Sequence, residues 1–306
     1  MEKNLLVLGL SRIAFLKTRE KCFLAKNLDN LESLTVLSIE DICQLIGRSI
    51  RTGCRMPENL SGFVQRDMDI MQRFGIRFVS VLSPEYPPLL REIHDPPFVL
   101  FWRGALPDPE RPLAGIVGTR APSGDGALAA ARIGREFGLA GIGVVSGLAR
   151  GIDAFAHRGN VDGGGASVAV LGSALERIYP RSNVRLAARI IETGGCLLGE
   201  YPPGEGPRKY HFPERNRIIS GLSRAVLVVE APEKSGALIT ADFALEQGRD
   251  IFVYEGTLSS VRGAGTAALH AEGAPAIFGA ADIFAGWGYS AKRQLDFGFS
   301  IETAFP

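Results

Sequence analysis

Gly115-Ile116-Val117-Gly118-Thr119-Arg120 decides how this chain folds: an apolar, β-forming run ends in glycine and gives way to a short polar turn. The same pattern recurs downstream. Residues 143–146 run into Gly147-Leu148-Ala149-Arg150-Gly151, and residues 167–171 into Gly172-Ser173. Further apolar runs at 196–199, 225–229, 250–254 and 275–278 read as strands, while 127–140, 184–193 and 237–247 are each long enough for a crossover helix. Strands alternating with helices at this spacing predict a mainly parallel sheet covered on both faces, a Rossmann-like, doubly wound α/β domain over 113–286.

Upstream the texture differs. In 1–75 apolar residues recur at spacings of three and four, as in Leu31 and Leu34 or Ile39, Ile42 and Ile46, which predicts several short helices in a small separate unit. Ser38 is placed to cap one of them, with Glu40 and Asp41 at its positive end. Such bundles are usually packing modules. The segment 76–112 holds two strand-like runs, Arg77 to Leu82 and Phe98 to Trp102, around the rigid turn Ser83-Pro84-Glu85-Tyr86-Pro87-Pro88, and then a proline-punctuated linker. Residues 287–306 read as a short tail.

With a net charge of +1 over 306 residues, nothing global calls for a polyanionic partner, so a nucleic-acid surface has to be a local patch. Cys22, Cys43, Cys54 and Cys196 are widely spaced with no C-x-x-C pair, which argues against a zinc site or a disulfide framework and for reduced thiols in the cytoplasm. The apolar run from Leu5 to Leu10 is too short for an export signal and is followed by Arg12, Lys17 and Arg19. No apolar run is long enough to span a membrane. The four histidines, His94, His157, His211 and His270, show no metal-ligand spacing.

In open α/β sheets ligands bind beyond the carboxyl ends of the strands, where glycine admits the backbone closely and helix N-termini attract anions. The glycine turns fall there, and two of them carry an arginine, which favours an anion site built on Gly118, Thr119 and Arg120 and on Ser146, Gly147, Arg150 and Gly151. Neither a G-x-G-x-x-G nor a G-x-x-x-x-G-K-[ST] loop is present, so dinucleotide and P-loop readings weaken and no cofactor is expected. Arg120 instead offers a planar donor fork suited to phosphate oxygens.

Two further constellations carry charge. Around Tyr179-Pro180-Arg181, the arginines Arg177, Arg181, Arg185 and Arg189 follow helical spacing: a solvated basic face, or a stripe tracking a nucleic-acid backbone with Tyr179 stacking on bases at ~1–3 kcal/mol each. In the run from Arg208 to Ser223, Lys209, Phe212, Arg215 and Arg217 interleave basic and aromatic groups, with Pro213 in the first turn of a helix. Arg215 and Arg217 lie two apart, which suggests that one serves structure and the other a ligand; burial against Glu200 or Glu230 is the structural alternative for either. Asp153 and His157 span one helical turn, but Asp153 is better read as capping the helix after Gly151 than as a proton-transfer group, and no catalytic set emerges.

These stretches together resemble the DNA processing protein A family, also called Smf. The resemblance is carried by Tyr86-Pro87-Pro88-Leu89-Leu90 and Asp95-Pro96-Pro97, Ile116 to Arg120, Ser146 to Asp153 with Ala156-His157, Tyr179-Pro180 with Asn183, Phe212-Pro213 with Arg215 to Ser223, and Ser235 to Ala241. It implies a Rossmann-like domain that binds single-stranded DNA, forms a homodimer, protects incoming strands and loads the recombinase RecA during natural transformation, with no catalytic turnover. By motif position Arg120 would contact phosphate, Arg181 and Lys209 would be basic DNA contacts, and the Ser146 to Asp153 loop and the Ser235-Gly236 turn would line the pocket. The N-terminal helices would correspond to a sterile-alpha-motif-like domain. Ala174 and Glu176 stand where the family usually has Gly and Asp, Glu255-Gly256 replaces Pro-Gly, and Gly265 to His270 matches only loosely the part that contributes to subunit pairing.

The competing reading is an enzyme, a nucleotide or nucleoside phosphate hydrolase on a similar sheet. Such folds often carry a P-G-G-x-G-T loop with a nearby glutamate, whereas Ser235-Gly236-Ala237-Leu238-Ile239-Thr240 has no acidic residue before Asp242. A third reading, an interaction scaffold, makes the glycine turns purely steric.

Overall fold

The computed structural model describes residues 2–51 and 53–287. Of the tail expected over 287–306, all but Trp287 lies outside the described residues.

Among the described residues nine strands form one sheet: β1 (Arg77–Ser80), β2 (Val99–Gly104), β3 (Leu113–Val117), β4 (Gly143–Ser146), β5 (Val168–Val170), β6 (Cys196–Gly199), β7 (Ala225–Val228), β8 (Asp250–Tyr254) and β9 (Ala276–Ile277). They lie in the order β1-β2-β6-β5-β4-β3-β7-β8-β9. From β6 to β9 every pairing is parallel. The strands β3 to β7 are buried along their whole length, because helices cover both faces; that is why they read in sequence as unbroken apolar runs rather than alternating ones.

The two strands of the 76–112 segment belong to this same sheet. β1 pairs antiparallel with β2, and β2 with β6 in the register Phe101↔Gly199. The run Val99-Leu100-Phe101 is fully buried, so its apolar side chains are satisfied only by packing inside the sheet.

Helices Gly124–Leu139 and Ile152–Asp162 pack unusually close. Gly159 makes this possible, since a Cβ there would collide with the Ala131 carbonyl. Asn160 locks the pair to the sheet, accepting from the Val144 N–H at 3.2 Å and donating to the Ile142 carbonyl at 2.9 Å.

The N-terminal unit consists of helices Glu2–Ser11, Thr18–Asn27, Leu31–Thr35, Ile39–Ile46 and Leu60–Phe74. Ser38 caps the fourth reciprocally: its hydroxyl accepts from the Asp41 N–H at 3.1 Å, and its own N–H donates to the Asp41 carboxylate at 2.9 Å. Leu6, Leu8 and Leu10 share one apolar cluster with Phe98, Phe101, Leu148 and Leu197, so this unit is continuous with the core of the sheet. Arg12 ties the two further, pairing with buried Asp67 and donating to the Pro203 carbonyl at 2.6 Å.

Candidate nucleic-acid interface

The chain leaves β3 towards β4 on one side and later returns to β7 on the other, so β3 and β7 flank the point where the winding reverses. A cleft of about 620 Å3 opens at their carboxyl ends. The turn after β3 is pinned from both sides: the Thr119 N–H donates to the Glu230 carbonyl at 2.7 Å, and the Thr119 carbonyl accepts from the Ile152 N–H at 3.1 Å. Gly118 is required here, because a Cβ would stand 2.6 Å from the Ile152 side chain and 2.8 Å from the Glu230 carbonyl. Arg120 is thereby projected, exposed, from a rigid turn at the cleft mouth.

Opposite stands the helix His211–Leu222, with Pro213 in its first turn. Its Phe212 ring lies 5.8 Å from the Arg120 guanidinium and 5.7 Å from the Tyr179 ring, and Tyr179 is 52% exposed. Cation, ring and ring make a platform on which a planar base can stack while its phosphate meets the guanidinium. Lys209 lines the same cleft, and Asp153, the one carboxylate in the lining among the described residues, is buried. The cleft therefore presents positive charge.

Beneath the platform the second glycine turn is held by a buried pair. Asp153 does not cap its helix; Gly151 occupies that position, and the Asp153 carboxylate reaches back to accept from the N–H groups of Gly147 (3.1 Å) and Ala149 (3.3 Å). It steadies a strained turn in which Leu148 sits at φ +54° and Gly151 at φ +77°. Burial pushes the Asp153 carboxyl up, against the Arg215 charge and the backbone donors. Burial likewise pulls Arg215 down to about 10, with Asp153 opposing and Arg120 assisting.

Nine of the residues singled out in sequence meet at this cleft: Gly118, Thr119, Arg120, Tyr179, Lys209, Phe212, Arg215, Ser235 and Gly236. Arg150, Arg177 and Arg181 are exposed outside its lining, and Arg189 pairs with Asp162 at 2.8 Å. Ser146 and Gly147 lie behind the wall: the Ser146 hydroxyl donates to the Ile116 carbonyl at 2.6 Å, and the Arg215 guanidinium fills the space beside Gly147.

Two further expectations need correcting. Of Arg215 and Arg217, neither is left for a ligand. Arg215 is 5% exposed and donates to the carbonyls of Gly147 (2.7 Å) and Val170. Arg217 lies outside the cleft and grips Glu200 through two bonds of 2.9 and 2.7 Å, the structural alternative realised. The other correction concerns anion binding at the helix after β3. Among the described residues Glu230 pairs with no arginine; its buried carboxylate accepts from the Ser123 N–H at 2.7 Å and from the Ser260 hydroxyl at 2.7 Å, so the N-terminus of helix Gly124–Leu139 is already filled.

Asn216 escaped the sequence reading. Its amide donates to the Gly236 carbonyl at 3.1 Å and accepts from Arg215 at 3.2 Å, which fixes the Ser235-Gly236 turn against the cleft. The signal was present, since Asn216 lies four residues after Phe212 and so shares its helix face. Among the described residues no group of histidine, cysteine or acidic side chains is placed to hold a metal, and no helix is long and apolar enough to cross a membrane.

The chain is similar to DNA processing protein DprA of Bacillus subtilis (strain 168), 44% identical over 212 residues that cover 69% of this chain and 71% of the relative. Its fold is similar to the X-ray structure of DNA processing protein A from Streptococcus pneumoniae, with a TM-score of 0.71, 34% identity and coverage of 90% of this chain and 95% of that one. It is also similar to a structure reporting the single-stranded DNA binding mode of DNA processing protein A from Helicobacter pylori, with a TM-score of 0.60, 25% identity and coverage of 70% and 96%. Residues 77–288, a span that takes in all nine strands given above, match the family DNA recombination-mediator protein A, and the chain belongs to that family.

Proposed function

We propose that this chain is a single-stranded DNA-binding recombination mediator of DNA uptake that holds its strand in the cleft between β3 and β7. The observation that carries the reading is the Arg120–Phe212–Tyr179 platform: a guanidinium over one ring, with a second ring beside the first, matches a phosphate followed by a stacked base. Lys209 adds charge on the facing rim, and Arg150, Arg177 and Arg181 extend the basic surface outside it. The strand is bound without turnover and without a cofactor, in the cytoplasm. In this reading the bound strand is protected and handed to RecA, and two copies pair through the segment after Gly256.

The single-stranded DNA binding mode described for the Helicobacter pylori relative supports this, as does the family. Glu230 counts against a nucleotide hydrolase, because its carboxylate occupies the helix end that would receive a nucleotide's phosphates. Titrating native protein and Arg120→Ala with a labelled oligonucleotide across a salt series tests the reading. Affinity should fall at least ten-fold in the variant and should weaken steeply with salt in the native protein. Salt-independent binding that survives Arg120→Ala would overturn it.

A further inference from the structure

The helix His211–Leu222 is a wall shared by two clefts. Phe212, Arg215 and Asn216 line the first, while His211, Glu214 and Arg217 line a second of about 780 Å3, which lies between the N-terminal helices and the sheet domain. The residues leading into the helix alternate across its crest: Lys209 lines the first cleft, Arg208 and Tyr210 the second.

In the second cleft most charges are already partnered. Glu200 is held by Arg217 at 2.7 Å, and Asp95 reaches the same guanidinium at 3.4 Å. Glu205 pairs with Arg208 at 2.7 Å, Glu214 accepts from the Tyr201 hydroxyl at 3.1 Å, and Arg12 is bound to Asp67. Among the described residues, Lys17 and Lys21 are left with no acidic side chain within 4.0 Å. Lys21 is half-buried, its ammonium 6.0 Å from the Phe98 ring. Burial pulls it down to about 8, although Glu200, Asp95 and Glu20 act on it at longer range, so an anion placed there restores interactions that solvent no longer supplies. Nearby, His211 is 3% exposed, its Nδ1 without a partner among the described residues and its ring stacked 3.7 Å from that of Tyr201. Tyr210, 51% exposed, presents an aromatic surface at the rim.

A half-buried lysine, an exposed lysine and an open aromatic ring lining one cleft complement a nucleotide: cations for the phosphate, the ring for the base. We propose that the second cleft continues the single-strand site, so that a strand seated in the first cleft crosses Lys209 and lays its next nucleotides against Tyr210, Lys17 and Lys21. This rests on the reading of the first cleft as a single-strand site. The crest is the joint between the two halves, since its successive side chains serve opposite sides.

The test compares oligonucleotides of about six and about twenty nucleotides, one short enough for a single site and one long enough for both. Each is titrated by fluorescence anisotropy against native protein, Lys21→Gln, Tyr210→Ala and Arg120→Ala. The expected result is a five- to ten-fold loss for the long oligonucleotide in Lys21→Gln and in Tyr210→Ala, with the short one unchanged, and a loss for both lengths in Arg120→Ala. Tyr210 is exposed, so its variant remains informative if Lys21→Gln folds poorly. Equal affinities for the long oligonucleotide in native, Lys21→Gln and Tyr210→Ala protein would overturn the second cleft while leaving the first intact. Binding of both lengths that ignores Arg120→Ala would instead remove the first-cleft reading, and the continuation with it.

Discussion

The Glu230 carboxylate stands 2.7 Å from the backbone N–H of Ser123, at the head of the helix that follows β3. In a dinucleotide-binding domain the pyrophosphate takes that place. Here the Glu230 carboxylate fills it, so on the proposed reading it is left to side chains at the cleft mouth to meet a strand's phosphates. Glu230→Ala should uncover the Ser123 N–H and the Ser260 hydroxyl and lower stability by roughly 1–3 kcal/mol, as two part-buried donors lose their acceptor. Millimolar inorganic phosphate should then raise the variant's Tm but not that of the native protein. A melting curve for the variant that does not respond to phosphate would refute this.

Phe212→Ala removes the ring under Arg120 and beside Tyr179, and single-strand affinity should drop by about 1–3 kcal/mol, the scale of one stacked base. Phe212→Tyr should keep most of it. Fluorescence titration of the two variants decides the matter, and equal losses in both would point to misfolding of the helix start rather than to stacking.

Arg217→Met should separate the two arginines that sequence left undecided. It strands Glu200, half-buried, without its partner, so thermal stability should fall by about 3 kcal/mol while binding of a short oligonucleotide stays native. A selective loss of short-strand affinity with unchanged Tm would return Arg217 to the ligand.

His157 is fully buried, its Nδ1 within 2.7 Å of the Ser167 hydroxyl, and burial pulls its pKa from 6.5 down to about 3. The unfolded chain takes up a proton near 6.5, whereas the folded imidazole stays neutral until about 3. Unfolding therefore binds a proton across that window, and stability contributed at neutral pH is lost progressively as pH falls through it. His157→Gln should flatten the fall of Tm between pH 6 and pH 4, on a scale of about 1.4 kcal/mol per pH unit. An unchanged slope would show that other groups govern acid unfolding.

Gly159→Ala drives a methyl group into the Ala131 carbonyl of the neighbouring helix. Separating two packed helices in this way should cost about 2 kcal/mol or more, measured by urea denaturation. A variant as stable as the native protein would mean that the helices slide apart freely.

The strands β3 to β7 were legible because each is buried on both faces and so reads as an unbroken apolar run, ended by glycine after β3 and β4. The place of β1 and β2 was not, since an antiparallel edge pair split by a proline-rich turn looks the same whether it extends a sheet or bridges two bodies. Within the site, Gly118 and Arg120 could be found because strand ends are where close backbone approach and free cations matter. Arg215 and Arg217 could not be sorted, because their partners, the Gly147 and Val170 carbonyls and Glu200, come from distant strands and loops. The role of Glu230 was hidden for the same reason: Ser123 lies 107 residues away in sequence.

The shared apolar cluster from Leu6 to Leu197 has a consequence for how a strand enters and leaves. Elements welded through one core do not swing apart as jaws, so on the proposed reading the second cleft serves as an open trough rather than a closing clamp. A strand laid into a trough needs no free end to thread. A closed circle of single-stranded DNA should dock as fast as a linear one, and should depart by peeling away one nucleotide after another.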